Sequence, residues 1–173
     1  MKHRLLELDV RHTGRLSIAE RPGPLRTLAI LFAHSGDSWF WLLGLAVLWW
    51  LGTDFWKARA VVLLVSILVT AVLVLLVKFS VRRRRPVGEW GSIYRNTDPH
   101  SFPSGHAARA VMLAVMAAGL GPPWFAALLL IWAPLVTLAR VAMGVHYLSD
   151  VLAGALFGLL LGLVYLRLNA GMG

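Results

Sequence analysis

Long runs of apolar residues are the feature that most constrains what this 173-residue chain can fold into. A helix that crosses the hydrocarbon core of a bilayer needs about 20 mostly apolar residues, because each residue advances the helix by about 1.5 Å. Five segments meet or approach that length: residues 38–51, 58–79, 105–120, 124–143 and 148–166. These runs predict an all-α protein, a polytopic membrane helical bundle with about five transmembrane helices.

The composition supports a membrane protein and excludes several other classes. Hydrophobic residues make up 58% of the chain and charged residues 14%, whereas ordinary soluble domains contain about 45–50% and about 25%. Disordered, collagen-like and disulfide-scaffold proteins are excluded, and a sequence without cysteine has no disulfides or thiolate metal sites. We expect the whole chain, residues 1–173, to form one integral-membrane domain.

The net charge of +9 comes from 17 basic and 8 acidic residues. The basic residues cluster at the ends of the apolar runs rather than along one polar face. They therefore indicate contact with the lipid bilayer or with an anionic substrate. We predict no nucleic-acid partner.

The N-terminal region differs from the rest of the chain. Residues 1–24 are polar and are expected to form a tail, whereas residues 25–36 are apolar and lead into a polar break, His34-Ser35-Gly36-Asp37. We interpret residues 25–36 as an interfacial helix that lies along the membrane surface. A sixth, kinked span that includes this segment is the alternative.

Five spans place the N-terminus, the loop after residue 79 and the loop near residues 144–147 on one face of the membrane. This face carries three clusters of polar residues, each at the end of an apolar run. The clusters are Lys78 with Arg82, Arg83, Arg84, Arg85 and Pro86, then Pro103-Ser104-Gly105-His106, and finally Arg140, His146 and Asp150. The longest loop, residues 80–103, joins the first two clusters and is predicted to be an active-site loop.

These residue types suit a phosphate ester. Two or three cations can hold a tetrahedral dianion and stabilise the charge that spreads over its oxygens during transfer, and arginine binds phosphate oxygens in pairs. A helix that begins at Pro-Ser-Gly presents free backbone N–H groups to an anion. Two histidines allow one to attack phosphorus and the other to deliver a proton. Asp150 follows His146 by one helical turn and could orient its imidazole.

The order and spacing of the clusters resemble the three-part signature of the type 2 phosphatidic acid phosphatase (PAP2) family. The matching residues are Lys78-x6-Arg85-Pro86, Pro103-Ser104-Gly105-His106 and Arg140-x5-His146-x3-Asp150. The resemblance covers residues 35–167. One departure is Ala139, where the family usually has serine, and this could remove one hydrogen bond to phosphate. The resemblance implies a hydrolase that works through a phosphohistidine intermediate, without a metal or another cofactor.

The resemblance also implies a role for each matching residue. His146 would attack phosphorus, and Asp150 would orient the His146 ring. His106 would protonate the leaving group and then deprotonate water. The residues that would bind phosphate are Lys78, Arg85, Ser104, Gly105 and Arg140. Arg109 and His100 are possible substrate contacts, although Arg109 could instead extend to the lipid headgroups.

We therefore expect an integral-membrane lipid phosphatase that removes a terminal phosphate from a lipid phosphate or diphosphate. Phosphatidic acid, phosphatidylglycerol phosphate, an isoprenyl diphosphate and an isoprenyl-linked sugar phosphate all fit the sequence. One alternative is a non-catalytic anionic-lipid binder or transporter that retains the phosphate site. Another is halide oxidation with bound vanadate, the chemistry of soluble relatives, which a chain of spans without a large soluble domain disfavours.

Basic residues also predict the side of the membrane. With the presumed phosphate-binding cations and Arg109 set aside, the face with the site carries ten basic residues, and the opposite face carries three, Lys57, Arg59 and Arg167. This excess predicts a cytoplasmic site. The short chain is the reason for expecting a bacterial inner (plasma) membrane.

Small residues recur every four positions in the last span, at Gly154, Gly158 and Gly162. Such a stripe allows two helices to approach closely. We expect close packing within the bundle, and a homodimer through the stripe is the alternative.

Overall fold

The computed structural model describes residues 2–87, 90 and 98–172, and within these ranges the protein is all-α, as the sequence predicts. The helices are α1 (Lys2–Leu16), α2 (Pro24–Ser35), α3 (Ser38–Leu51), α4 (Asp54–Val81), α5 (Gly105–Leu120), α6 (Pro123–Ala142) and α7 (Leu148–Leu168), followed by a 3₁₀ turn, Ala170–Met172. Residues 88, 89 and 91–97 of the predicted active-site loop lie outside the described residues.

Helix bounds follow the sequence pattern closely. The observed α3 and α5 have the predicted bounds, whereas α4 is longer than predicted at both ends. Asp54 in its first turn complements the positive end of the helix dipole. At the other end, Arg82 closes the helix in a left-handed conformation with φ 53°, and its N–H donates to the carbonyl of Lys78.

Helix α5 lies at the centre of the bundle, between α4, α6 and α7. Its side chains are small or flexible, and Ala107, Ala110, Met112, Leu113 and Met116 are completely buried. This environment explains how a helix of only 16 residues can carry a buried arginine: its neighbours are protein rather than lipid.

The glycine stripe of α7 packs against α5 of the same chain. A Cβ atom at Gly158 would lie 2.1 Å from the carbonyl oxygen of Ala108, and one at Gly154 would lie 2.4 Å from the carbonyl oxygen of Ser104. Only glycine allows the two backbones to approach this closely. The stripe therefore serves packing within the bundle, and the alternative of a homodimer through it gains no support from the fold.

Fewer helices are long enough to cross a membrane than the sequence pattern predicts. Three helices among the described residues, α4, α6 and α7, are long and apolar enough to cross a membrane. Helices α2 and α3 are long enough to cross a membrane only if they are counted as one span, bent by 59°, and the number of spans is then four. Helix α5 is a shorter apolar helix. The prediction of about five spans thus counts α3 and α5, which are short on their own.

Part of the segment predicted to be a polar tail forms helix α1. Its inward face is polar: Asp9 is partly buried and Thr13 is buried. The Thr13 hydroxyl oxygen accepts a hydrogen bond of 3.0 Å from the backbone N–H of Leu148. Because α1 docks through the polar residues Asp9 and Thr13, its contact with the bundle could not be predicted from the pattern of apolar residues.

Helix α2 forms at the predicted interfacial segment and packs on α6. Ala29 and Ala33 contact Ala139 and Met143 in a small apolar cluster. The chain then turns sharply at residues 36 and 37 before α3 begins. This turn lies directly above α5, at the end of the bundle where the polar clusters of the sequence meet.

Candidate active site

Buried charged side chains from three helix ends meet at one end of the bundle. Arg140 lies near the end of α6 and is 1% exposed. His146 lies in the turn that follows, residues 143–147, and Asp150 lies in the first turn of α7; they are 1% and 0% exposed. Ionisable residues are rarely buried to this degree unless they are paired or functional. Arg140 lies near enough to Lys78, His106 and His146 for its charge to act on all three, so the third motif meets the other two.

Two cations of the first motif share one carboxylate. Lys78 lies in the last turn of α4, and its ammonium group donates to Asp98 Oδ2 and, at 3.1 Å, to the carbonyl of His100. Arg85 Nη2 donates to the same Asp98 Oδ2 at 2.7 Å, and its Nε donates to the Asp98 carbonyl at 2.7 Å. One carboxylate oxygen therefore occupies a position between two cations that a phosphate oxygen could take.

His146 faces these cations through its Nε2 atom. Arg85 Nη1 lies 3.2 Å from His146 Nε2. A guanidinium group can only donate hydrogen bonds, so Nε2 must be the unprotonated nitrogen of the ring. Burial, followed by the positive charges of Arg140, Arg85 and Lys78, holds the pKa of His146 well below its ordinary value of 6.5. The ring is therefore neutral, with its lone pair directed towards the cation cluster.

Asp150 lies on the opposite side of the His146 ring. Its Oδ2 is 3.6 Å from His146 Nδ1, which is longer than a hydrogen bond. The same Oδ2 accepts from the backbone N–H of Tyr147 at 2.9 Å. The structure therefore brings the predicted nucleophile and its predicted orienting carboxylate together, with the carboxylate held by the first turn of α7.

Arg83 also binds Asp150, and the sequence motif does not include it. Its Nη1 donates to Asp150 Oδ1 at 2.7 Å, its Nη2 donates to Asp9 Oδ2 at 2.7 Å, and its guanidinium lies 4.1 Å from the ring centroid of Tyr147. Asp9 also accepts from the backbone N–H of Ser149 at 3.1 Å. Burial raises the pKa of Asp9, but hydrogen bonds from Ser149 and Arg83 outweigh burial and leave the pKa below 3.8. Asp9 is therefore an anion that holds Arg83 from the α1 side.

The second motif begins α5 and supplies the other histidine. Ser104 is the N-cap, and its hydroxyl accepts from the backbone N–H of Ala107 at 3.4 Å, while its own N–H donates to the Asp150 carbonyl at 3.0 Å. His106 lies in the first turn of α5, and its Nε2 is 2.7 Å from Asp37 Oδ1. The hydroxyl of Ser104 is thus engaged in capping, whereas Gly105 lines a cavity at the helix start.

Of the two possible substrate contacts, Arg109 is buried and His100 is not. Arg109 is 6% exposed, and it donates to the carbonyl of Gly36 at 3.0 Å and to the hydroxyl of Ser38 at 2.6 Å. It therefore does not extend to the lipid headgroups. His100 reaches Lys78 through its backbone carbonyl, and its ring packs edge-on against Phe79 with centroids 5.5 Å apart.

A cavity of about 460 Å³ leads to this cluster from the side of the bundle. Its polar end is formed by residues of the α2–α3 turn, the end of α4 and the start of α5. Its apolar side is formed by α3 and α4 and includes Trp39 and Leu75, which are 64% and 46% exposed. The residues at the polar end are Asp37, Lys78, Asp98, Gly105, His106 and Arg109. The cavity could therefore accept a polar headgroup whose apolar chain remains beside α3 and α4.

A second, smaller cavity of about 240 Å³ lies further along the same seam. It is lined by apolar residues of the two helices, among them Leu45 and Trp49 of α3 and Ala60 and Leu64 of α4. Among the described residues, no group of three or more histidine, aspartate or glutamate side chains is arranged to hold a metal ion. The positive charge of the site comes from lysine and arginine.

Motif reasoning missed Asp9, Asp37, Arg83 and Asp98. The signal that could have found the three carboxylates is their rarity, because the chain has only 8 acidic residues against 17 basic ones. In an apolar, cationic chain, each carboxylate near a membrane face is a candidate partner for a buried cation. Arg83 is hidden in a run of four arginines, and no sequence feature distinguishes it from Arg82 and Arg84.

Comparison with known proteins matches this chain to one family. The model of the PAP2 superfamily matches residues 59–171, which contain all three motifs. A relative from Mycobacterium tuberculosis, "Decaprenylphosphoryl-5-phosphoribose phosphatase", is 30% identical over 171 residues, covering 95% of this chain and 92% of that protein. "Undecaprenyl-diphosphatase" from Sulfolobus acidocaldarius is 31% identical over 140 residues, covering 78% of this chain and 66% of that protein.

Two solved structures share the fold. The PAP2 type phosphatidylglycerolphosphate phosphatase from Bacillus subtilis superposes with a TM-score of 0.76 at 23% identity, covering 98% of this chain and 88% of that chain. LpxE from Aquifex aeolicus superposes with a TM-score of 0.70 at 27% identity, covering 94% of each chain. The arrangement of helices around α5 is thus shared with membrane phosphatases.

Proposed function

The chain belongs to the PAP2 superfamily and is an integral-membrane lipid phosphatase, and from that premise we propose a mechanism and a substrate class. We propose that it hydrolyses the terminal phosphate of a polyprenyl-linked lipid through a covalent phosphohistidine at His146, without a metal ion. The observation that carries the proposal is the contact of Arg85 Nη1 with His146 Nε2, 3.2 Å apart. This contact leaves a neutral nitrogen lone pair beside a cluster of cations.

The first half of the reaction transfers the phosphoryl group to the protein. His146 Nε2 attacks phosphorus, the bond between phosphorus and the lipid oxygen breaks, and His106 donates a proton to that oxygen. Asp150 holds the Nδ1 side of the ring and stabilises the positive charge that His146 acquires. The two side chains lie 3.6 Å apart, and catalytic hydrogen bonds of this kind often shorten when substrate binds.

The second half releases phosphate. His106 takes a proton from water, the water oxygen bonds to phosphorus, and the nitrogen–phosphorus bond breaks, which restores neutral His146. Lys78, Arg85 and Arg140 neutralise the charge on the phosphate oxygens throughout, the role that a metal ion plays in other phosphatases. The backbone N–H of Gly105, at the positive end of α5, is a further donor.

Two observations support a polyprenyl-linked substrate. Two relatives that are at least 30% identical carry polyprenyl phosphates in their names, a decaprenylphosphoryl sugar and an undecaprenyl diphosphate. In addition, the two cavities between α3 and α4 follow one apolar seam, along which a single long apolar chain could lie.

Phosphate release by the detergent-purified protein, in the presence of EDTA, tests the proposal. The substrates are a polyprenyl-linked sugar phosphate, an undecaprenyl diphosphate, phosphatidic acid and phosphatidylglycerol phosphate. We expect release that persists in EDTA, is fastest with a polyprenyl substrate and is abolished in His146→Ala. The matched control is His12→Ala, a change on the exposed face of α1, which should retain activity.

Other outcomes separate the alternatives. Binding of lipid phosphate without release by the unmodified protein would support a non-catalytic binder or transporter. Release that requires a divalent metal, or that survives in His146→Ala, would contradict the phosphohistidine mechanism. We also propose that the site faces the cytoplasm of a bacterial cell, because basic residues concentrate on its face of the membrane.

A further inference from the structure

We infer that Asp37, in the turn between α2 and α3, is the positioning residue for the acid–base histidine His106. The inference rests on the proposed function and assigns each histidine of the site its own carboxylate. Asp37 lies outside all three sequence motifs, and it comes from a different part of the chain, 69 residues from His106. Its role is to hold the His106 ring and to favour its protonated form.

The Asp37 side chain is directed to His106 rather than to its own helix. Asp37 is the N-cap of α3, a position where aspartate usually accepts from a backbone N–H of the first turn, yet its side chain forms no capping hydrogen bond. Instead, Oδ1 is 2.7 Å from His106 Nε2, and Oδ2 is 3.0 Å from His34 Nδ1. A carboxylate only accepts, so His106 Nε2 carries a hydrogen and Nδ1 remains for the proton that moves.

The turn that carries Asp37 is held in place by a second residue of α5. Arg109, one turn after His106, donates to the carbonyl of Gly36 and to the hydroxyl of Ser38, the two residues that flank Asp37. Gly36 itself packs against the His106 ring: a Cβ atom there would lie 3.1 Å from His106 Cδ2. Arg109 therefore holds the chain before and after Asp37, which fixes the position of Asp37 relative to His106.

Two tryptophans hold the same turn from α3 and α6. Trp41 Nε1 donates to the carbonyl of Ser35 at 3.1 Å, and Trp132 Nε1 donates to its hydroxyl at 2.9 Å. Besides His106, three side chains from three helices thus hold residues 35–38: Arg109 of α5, Trp41 of α3 and Trp132 of α6. Side chains held by such a set of supporting hydrogen bonds keep the geometry that a functional site needs.

The charges around His106 explain why a carboxylate is needed. Arg109 on α5 and Arg140 on α6 both act on His106 and oppose a positive charge on its ring. Asp37, from the turn above, is the anion that acts in the opposite direction. Its hydrogen bond and its charge therefore favour the proton that His106 has to supply to the leaving lipid oxygen.

The proton balance follows from this pairing. In the first half of the reaction, imidazolium His106 gives its Nδ1 proton to the lipid oxygen and becomes neutral, while Nε2–H stays bonded to Asp37. In the second half, Nδ1 accepts the proton of the attacking water, and the charge of Asp37 again stabilises the imidazolium. Asp37 keeps its negative charge throughout and does not touch the substrate.

The test compares two leaving groups in Asp37→Asn. A lipid alcohol needs a proton to leave, whereas nitrophenolate does not. With the lipid substrate, we expect kcat to fall about 10- to 100-fold, less than the roughly 10²–10⁴-fold that a general acid itself contributes, and KM to change little. With 4-nitrophenyl phosphate, we expect a rapid burst of nitrophenolate followed by slow turnover, because only the water-dependent step then needs His106. Equal losses for both substrates, without a burst, would overturn the inference and indicate a structural role.

The pH profile of the lipid reaction gives an independent readout. Since Asp37 favours the protonated ring, the alkaline limb of kcat/KM should move to lower pH in Asp37→Asn and return towards its original position in Asp37→Glu. The control variants are Asp54→Asn, which removes an exposed carboxylate from the opposite end of the bundle, and His34→Ala, which removes only the other partner of Asp37. An alkaline limb that does not move in Asp37→Asn would contradict the role. Failure of the proposed function is distinct, because the unmodified protein would then show no metal-independent release.

Discussion

Arg83 Nη1 donates to Asp150 Oδ1 at 2.7 Å, and Nη2 of the same guanidinium donates to Asp9 Oδ2 at 2.7 Å. A residue of α1 is thereby connected, through a single side chain, to the carboxylate proposed to orient the nucleophile. The N-terminal helix is therefore part of the support of the site. A planar guanidinium is suited to this role because its donors point in defined directions to two carboxylates at once.

Arg83→Gln should lower kcat without abolishing it. Loss of the guanidinium leaves the buried Asp150 carboxylate without its main cationic partner and frees it to move away from His146, and small misplacements of catalytic groups cost up to about 10²-fold in rate. The measurement is kcat and KM for the lipid substrate beside Arg82→Gln, since Arg82 is exposed and, among the described contacts, its side chain donates only to the local carbonyl of Phe79. Equal activity of the two variants would contradict the role of Arg83.

Local sequence signals were sufficient to predict helices α2 to α7 and the spacing of the motif residues. The apolar runs end where α3 and α5 end, and the spacing of Arg140, His146 and Asp150 matches a turn followed by the first turn of α7. Each of these relationships connects residues within about 20 positions of one another. Periodicity and spacing carry such information because a helix repeats every 3.6 residues.

Pairings between distant segments could not be predicted in the same way. Arg83 binds both Asp9 and Asp150, and Asp37 binds His106. The two residues of each of these three contacts are 67 to 74 positions apart in the sequence. A carboxylate in a polar tail or turn has the same local pattern whether it meets water or a buried cation. Only the packing of α1 and of the α2–α3 turn on the bundle decides which cation each carboxylate meets.

Neutral His146 predicts a specific response to acid. Because burial and three cations lower its pKa well below 6.5, the ring should stay unprotonated as the pH falls through 6.5. Nitrogen-15 NMR of histidine-labelled protein, with His146→Gln for assignment, should show one ring that keeps its neutral spectrum at pH 6. A ring that titrates at 6.5 or above would contradict the geometry.

The same lowered pKa links stability to pH. Below 6.5, the unfolded chain binds a proton at His146 that the folded protein does not, so the free energy of unfolding must decrease as the pH falls through 6.5. Thermal unfolding in detergent should therefore show a weaker loss of stability at acidic pH in His146→Gln than in the unmodified protein. An identical pH dependence for both proteins would count against the prediction.

Gly158→Ala should destabilise the bundle. The new Cβ atom would lie 2.1 Å from the Ala108 carbonyl oxygen, so α7 must move away from α5. Overpacking of this kind costs about 1–3 kcal/mol or more, and the melting temperature should fall by several degrees. Gly14→Ala is the control, since nothing lies within 4 Å of a Cβ atom there and alanine favours a helix. A melting temperature that is unchanged in Gly158→Ala would show that the two helices can separate freely.

Asp98→Asn should strengthen the binding of inorganic phosphate. Asp98 Oδ2 accepts from both Lys78 and Arg85, so the carboxylate competes with an anionic substrate for the two cations. Its side chain is 37% exposed, and we expect only a modest effect, a decrease of about 2- to 10-fold in the inhibition constant of phosphate. The measurement is competitive inhibition by phosphate, with Asp54→Asn as the control for loss of a remote negative charge. Weaker inhibition would mean that Asp98 orients the cations for phosphate instead of competing with it.

The orientation of the site in the membrane can be tested with single cysteines, because the sequence contains none. Arg21→Cys lies on the face of the site, between α1 and α2, and Asp54→Cys lies at the start of α4 on the opposite face; both positions are exposed. The excess of basic residues around the site predicts that a membrane-impermeant maleimide labels Asp54→Cys in intact spheroplasts and labels Arg21→Cys only after the membrane is opened. The reverse pattern would place the site outside the cytoplasm, where a lipid phosphate would have to be presented by the outer leaflet. Because both positions lie outside the catalytic cluster, each variant should retain phosphatase activity, which verifies that the labelled protein is folded.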